Sequence, residues 1–212
     1  MLKWSMKIVE YSEKDRDVII KEAIAVIKKG GIVSYPTESF YALGVMAEDK
    51  GAVDRLYSIK HRSADKPLPV IVGDLSTLHS VVRDVPREAN SLIKRFWPGP
   101  LTLVFEAQGN IPELLTGRTG KLAARIPGES IALYIAKKAG FAVTATSANL
   151  SAMPPAEDAR SVVNYFNDAV DLIIDGGSAP GGRPSTIVDV TVSPPVVLRE
   201  GSILIDIASL TG

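Results

Sequence analysis

The sequence contains no cysteine. That excludes a disulfide frame and any thiolate metal site, and it fits a reducing compartment. Histidine is almost as scarce: His61 and His79 are the only two, so a histidine-rich metal centre is excluded as well. Aromatic residues form 6% of the chain, few for the stacking platforms of a single-strand nucleic-acid binder. Neither sign of charge predominates, with Lys+Arg 24 against Asp+Glu 24. A surface coated for nucleic acid is therefore not expected, although a local basic pocket is compatible with this balance. No apolar run approaches the ~20 residues of a membrane span, and the start, MLKWSMKIVEYSEKD, lacks the apolar core of a signal peptide. The expectation is a soluble cytoplasmic protein with no membrane partner. The P-loop, a GxGxxG after the first strand, HExxH and the nucleophile elbow are all missing.

What is present is a chain of 212 residues with 46% apolar content, enough for a real core in one domain over residues 1–212. Strand and helix alternate. Lys7-Ile8-Val9 reads as a strand, Ser12 to Asp15 as a capping box, and Ile20, Ile24 and Ile27 as the buried stripe of a helix closed by Gly30-Gly31. Gly31 to Tyr35 is a strand ending at Pro36. Asp49 caps a helix that buries Val53, Leu56, Tyr57 and the stem of Lys60. Leu68 to Val72, Leu101 to Phe105, Leu122 to Ile126, Phe141 to Ala145, Leu172 to Ile174, Thr186 to Val190 and Val196 to Arg199 read as strands. Helices fall over Pro86 to Trp97, around Ile131 to Ala139 and around Val162 to Phe166. This alternation predicts an α/β fold, a single domain with one sheet and helices on its faces.

The polar residues gather at strand ends, where open α/β sheets hold their ligands. After the strand at Tyr35 come Thr37, Glu38 and Ser39. Elsewhere lie Lys60, Arg62 and Lys66; Lys121 and Arg125; Ser147 and Asn149; Ser185 and Thr186; and Arg199. No nucleophile–base pair stands out, so no protein nucleophile and no protein-built metal site are expected. Several cations around one cavity suit an anionic ligand such as a nucleoside triphosphate or a carboxylate. Taken singly, each cluster has a plainer reading. Lys60 and Arg62 read as a solvated helix end, and Ser147-Ala148-Asn149 as a cap or turn. Glu38 reads as a local cap or ion-pair partner. Arg125 is harder to set aside, because an arginine within a strand needs a partner or an open cavity.

In order, the segments SYPTESFYALG, KHRSADKPLPVIV, RFWPGPLTLVF, LAARIPG, TATSANLS, RPSTIVD and VVLREGSI closely resemble the YrdC/Sua5 family, the L-threonylcarbamoyladenylate synthases. The likeness runs from about residue 15 to 205, and the length resembles the short form without the further C-terminal domain of longer members. The resemblance implies a YrdC-like fold, a twisted mixed sheet with flanking helices around a positively charged cavity. It implies an enzyme, a nucleotidyltransferase, that joins ATP, L-threonine and bicarbonate into L-threonylcarbamoyladenylate with release of pyrophosphate. A tRNA threonylcarbamoyl-transferase complex would take the product for the adenosine beside the anticodon, and tRNA or double-stranded RNA is a further partner. Mg²⁺ would be bound mainly through the ATP phosphates.

By the same resemblance, Thr37, Arg125, Ala145 and Ser185 would contact L-threonine, and Lys60, Arg62, Lys66, Lys121, Ser147, Asn149 and Arg199 would contact ATP. The sequence departs from the family pattern in places. PTETVYGLG reads PTESFYALG, the proline of KxRP is Ser63, SANxSG reads SANLSA with Ala152 for glycine, and Pro155 replaces a hydroxyl residue. Two other readings stand beside this one. One is a carbamoyl-adenylate-type paralogue with another acceptor; the other is a non-catalytic RNA-binding module.

Overall fold

The first helix illustrates how the sequence pattern becomes structure. α1 (Arg16–Lys28) buries Ile19, Ile20, Ala23, Ile24 and Ile27, the 3–4 spacing of a helix face turned to a core. Its expected capping box forms differently. The Ser12 hydroxyl accepts from the Asp15 amide and donates to the Asp15 carboxylate, so it closes the turn before the helix. The N-cap, Asp15, makes no side-chain cap bond. This is a computed structural model, and it describes residues 6–207. Residues 1–5 of the stretch compared with a signal peptide lie outside the described residues.

Among the described residues there are eleven strands and seven α-helices, and strand and helix alternate over much of the chain. They are β1 (Lys7–Glu10), α1, β2 (Val33–Pro36), β3 (Tyr41–Gly44), α2 (Lys50–Ile59), β4 (Val70–Ile71), α3 (Leu75–Val81), α4 (Arg87–Phe96) and β5 (Leu101–Glu106). Then come α5 (Glu113–Thr116), β6 (Lys121–Arg125), α6 (Ile131–Ala139), β7 (Val143–Thr144), β8 (Thr146–Ser147), α7 (Ala159–Phe166), β9 (Leu172–Asp175), β10 (Thr186–Asp189) and β11 (Val196–Arg199). The expected strands at Leu68 to Val72 and Phe141 to Ala145 contract to two-residue ladders, and strands β3 and β8 and helices α3 and α5 escape the sequence reading. The start signal of α3 is nonetheless ordinary: the Asp74 carboxylate accepts from the Thr77 amide at 2.7 Å.

The one expected sheet is in fact two mixed sheets. The first runs β1-β9-β2-β3-β8 and the second β11-β10-β5-β6-β4-β7. Residues 143–147 join them. Val143 and Thr144 pair with β4 in the second sheet, whereas Thr146 and Ser147 pair with β3 in the first. Ala145 is the residue of passage, and its amide donates to Pro69 O at 2.9 Å.

Both faces of the first sheet are apolar. Val33, Tyr35, Leu172 and Ile174 pack with α1 and α6, while Ile32, Leu43 and Ile173 enter the larger core on the other side. Alternate residues thus serve different cores, which is why these strands read as continuous apolar runs. One buried ion pair locks the strand starts to α2. Asp171 accepts from Arg55 Nη1 at 2.7 Å and Nη2 at 3.1 Å, and from the Ile32 amide at 2.7 Å.

Candidate active site

The edges where the two sheets meet enclose a cavity of about 570 Å³, within the range of small-molecule sites. Its walls come from distant parts of the chain: the β2–β3 turn from Thr37, strand β4, the ends of β5 and β6, the passage at Ala145, the loop Gly181 to Ser185, and Arg199. Thr37, Arg62, Arg125, Ala145, Ser147, Ser185 and Arg199 all line it.

The β2–β3 turn is organised by Thr37. Its Oγ1 accepts from the Ser39 and Phe40 amides and donates to Phe40 O at 2.8 Å. That closed turn projects Glu38 toward β6. Arg125 donates to the Glu38 carboxylate through Nη1 at 2.9 Å and Nη2 at 3.1 Å, and Gly128 N–H adds a third bond at 2.8 Å. Arg125 therefore has both a partner and a cavity. On the opposite wall Ser185 Oγ lies 2.8 Å from Thr102 Oγ1. Ser185 O accepts from Arg199 Nε and Nη2 at 3.2 and 2.8 Å. Burial, and then the charge of nearby Arg125, pull the Arg199 guanidinium below its usual pKa.

Four of the expected residues lie elsewhere. Lys60 is only 2% exposed and does not face the cavity. Its ammonium donates to Ser147 O at 2.5 Å and Asn149 O at 2.7 Å, so it holds the loop that presents Ser147. A buried amine needs such acceptors. Burial, and then the Arg62 charge, lower its pKa from 10.5 to about 7. Asn149 serves the same loop: its Oδ1 accepts from Ser147 Oγ at 2.6 Å and its Nδ2 donates to Met153 O. Lys66 is exposed, and its carbonyl accepts from Tyr57 Oη and Arg62 Nε. Lys121 stands at the far end of β6 from Arg125 and pairs with Asp189 at 3.0 Å. Its ammonium is taken up by that pairing, and Lys121 is not among the residues that line the cavity.

The sequence reading missed Thr102 and Arg183 as cavity residues. Thr102 was legible as the polar member of an apolar strand. Arg183 follows two glycines with φ of +74° and +103°, a loop signal with no chemical content. Among the described residues it has no protein partner. The cavity lining thus holds Arg62, Arg125, Arg183 and Arg199 against a single carboxylate, Glu38, which already engages Arg125. Among the described residues three of these guanidinium groups have no carboxylate partner, which suits a multiply charged anion. No group of three or more His, Asp or Glu that could hold a metal occurs among the described residues. No described helix is long and apolar enough to cross a membrane.

Comparison with known proteins gives the same architecture. The chain is 38% identical over 196 residues to the threonylcarbamoyl-AMP synthase of Pyrococcus abyssi, covering 92% of this chain and 58% of that protein. It spans little more than half the length of that curated relative. It is 32% identical over 170 residues to the threonylcarbamoyl-AMP synthase of Nitrosococcus oceani, covering 80% of this chain and 92% of that one. The crystal structure of P. abyssi Sua5 complexed with L-threonine superimposes with a TM-score of 0.88 at 36% identity, over 98% of this chain and 61% of that chain. The Sua5/YciO/YrdC family model, described as telomere recombination, matches residues 25–201. The chain belongs to the Sua5/YciO/YrdC family.

Proposed function

We propose that this chain, read as one YrdC-like domain over residues 1–212, forms L-threonylcarbamoyladenylate from ATP, L-threonine and bicarbonate and releases pyrophosphate. The observation that carries this reading is the convergence of Thr37, Arg62, Arg125, Ser147, Ser185 and Arg199 on one cavity, from segments up to 162 residues apart. The threonine-bound P. abyssi relative supports it.

The chemistry needs no protein nucleophile. The neutral threonine amine adds to bicarbonate-derived carbon with loss of water, giving a carbamate. A carbamate oxygen then attacks the α-phosphorus, and the bond to pyrophosphate breaks. The protein must hold two anions in line and balance charge on the leaving group. In this reading Arg125, with Thr37, Ala145 and Ser185, seats the amino acid. Arg62, Arg199 and Ser147 face the nucleotide, and Lys60 and Asn149 contribute by fixing the Ser147 loop. Mg²⁺ would find its ligands mainly on the phosphates, since the cavity supplies cations and hydroxyls. The product would pass, in the cytoplasm, to a transferase complex acting on the adenosine beside a tRNA anticodon.

Incubation with ATP and bicarbonate, with and without L-threonine, tests this. Threonine-dependent pyrophosphate release is the expected result. Release that requires carbamoyl phosphate instead would assign a different acceptor chemistry, and RNA retention with no turnover would refute catalysis.

A further inference from the structure

Glu38 takes the bidentate place on Arg125 that a ligand carboxylate would suit. Its two oxygens accept from both terminal nitrogens of Arg125, and Oε1 also accepts from Gly128 N–H. Its side chain is 26% exposed and that of Arg125 14%, so the pair is largely shielded from water but still borders the cavity. Two consequences are possible for an incoming carboxylate. It can evict Glu38, or it can use the part of Arg125 that Glu38 leaves free.

The hydrogen-bond inventory favours the second. Guanidinium has five N–H donors in a rigid plane. Glu38 takes the end-on pair, one hydrogen from each Nη. The side edge, Nε–H with the remaining hydrogen of one Nη, has no protein acceptor among the described residues. That edge is a second bidentate fork. Eviction would break three charge-assisted bonds and leave the Glu38 carboxylate half-buried beside an arriving anion, which is unfavourable on both counts. The turn that carries Glu38 is also closed on itself through Thr37 Oγ1, which resists movement of the carboxylate.

We propose that Glu38 is a positioning residue: it grips Arg125 end-on, fixes the guanidinium plane, and thereby presents the Nε edge to the carboxylate of the amino-acid substrate. This rests on the functional reading above. Gly128 belongs to the same device through its N–H, which donates to Glu38 Oε1 at 2.8 Å.

The test pairs Glu38→Gln with Glu38→Asp and reads two quantities. The first is steady-state pyrophosphate release as a function of L-threonine and of ATP. The second is the side-chain Nε–Hε resonance of Arg125 in ¹⁵N NMR, assigned with Arg125→Lys. Glu38→Gln should raise the threonine KM about ten-fold or more, leave the ATP KM near wild type, lower the melting temperature of a still-folded protein because Arg125 loses its counter-charge, and broaden or shift the Arg125 resonance. Glu38→Asp, which keeps the charge, should recover part of the threonine affinity, as a space-filling role would not. A threonine KM that falls in Glu38→Gln identifies Glu38 as a competitor and overturns the proposal, as does an Arg125 resonance that is unmoved. A wild-type protein without threonine-dependent turnover, whose Arg125 resonance still changes in Glu38→Gln, upholds the positioning role and refutes the substrate reading instead.

Discussion

The Lys60 ammonium lies 2.7 Å from the carbonyl oxygen of Asn149, a residue 89 positions later, and so ties the end of α2 to the Ser147 loop. Substituting Lys60 by methionine keeps the buried stem and removes the donor. Two carbonyls then lose their partner, at a cost of about 1–3 kcal/mol each if they stay dry. Lys60→Met should therefore lower stability in urea unfolding and raise the ATP KM through the loosened loop. Unchanged stability would mean that water takes over both acceptors.

The same residue sets a pH dependence. Its folded pKa of about 7 lies below the ordinary 10.5, so between these values the unfolded chain binds the proton more strongly. Stability then rises with pH across that window. The cost of burying the charge is fully present below pH 7 and vanishes above 10.5. Wild-type protein should gain more stability than Lys60→Met between pH 7 and 9. Parallel curves for the two proteins would contradict this.

Arg125→Ala removes one member of a shielded ion pair and the clamp of the amino-acid site. The expected loss of threonine binding is about 2–5 kcal/mol, read as a raised KM or by calorimetry. A normal threonine KM would place the carboxylate elsewhere in the cavity.

Ala152 adopts φ +71°, the left-handed region, in the turn that follows Ser147 to Asn149. An L-residue pays for that conformation and glycine does not. Ala152→Gly should stabilise the protein by about 0.5–1 kcal/mol, after the extra chain entropy of glycine is deducted. Thermal unfolding reads this directly, and a lowered melting temperature would show that the methyl group packs favourably.

Gly201 lies where a Cβ would come within 2.3 Å of Pro184 O and 2.4 Å of Thr186 N. Gly201→Ala must shift the segment that carries Ser185 and, through it, Arg199. Displacements near 1 Å can cost up to about 100-fold in rate. The expected result is a folded protein with much reduced turnover. Full activity would show that this wall tolerates movement.

Element type was legible from local pattern. Ile20, Ile24 and Ile27 announced α1, the Asp49 carboxylate caps α2 at the Ala52 amide as expected, and the apolar runs became strands. The two-sheet division was not legible, because it depends on Ala145 passing between ladders that are 2 residues long on either side. Nor was the Arg55–Asp171 pair, whose members stand 116 residues apart.

Periodicity, turn chemistry and the ordered motifs decided, without any coordinates, that this is an α/β chain of a recognisable family with hydroxyls and cations at its strand ends. Only the folded arrangement decided which of them share a pocket. Lys60 turned inward and with Asn149 holds a loop, Lys121 went to Asp189, and Arg125 found Glu38. The reason is physical. Pattern and propensity act over a few residues, whereas charge pairing and burial are settled by neighbours that only long-range strand pairing brings together.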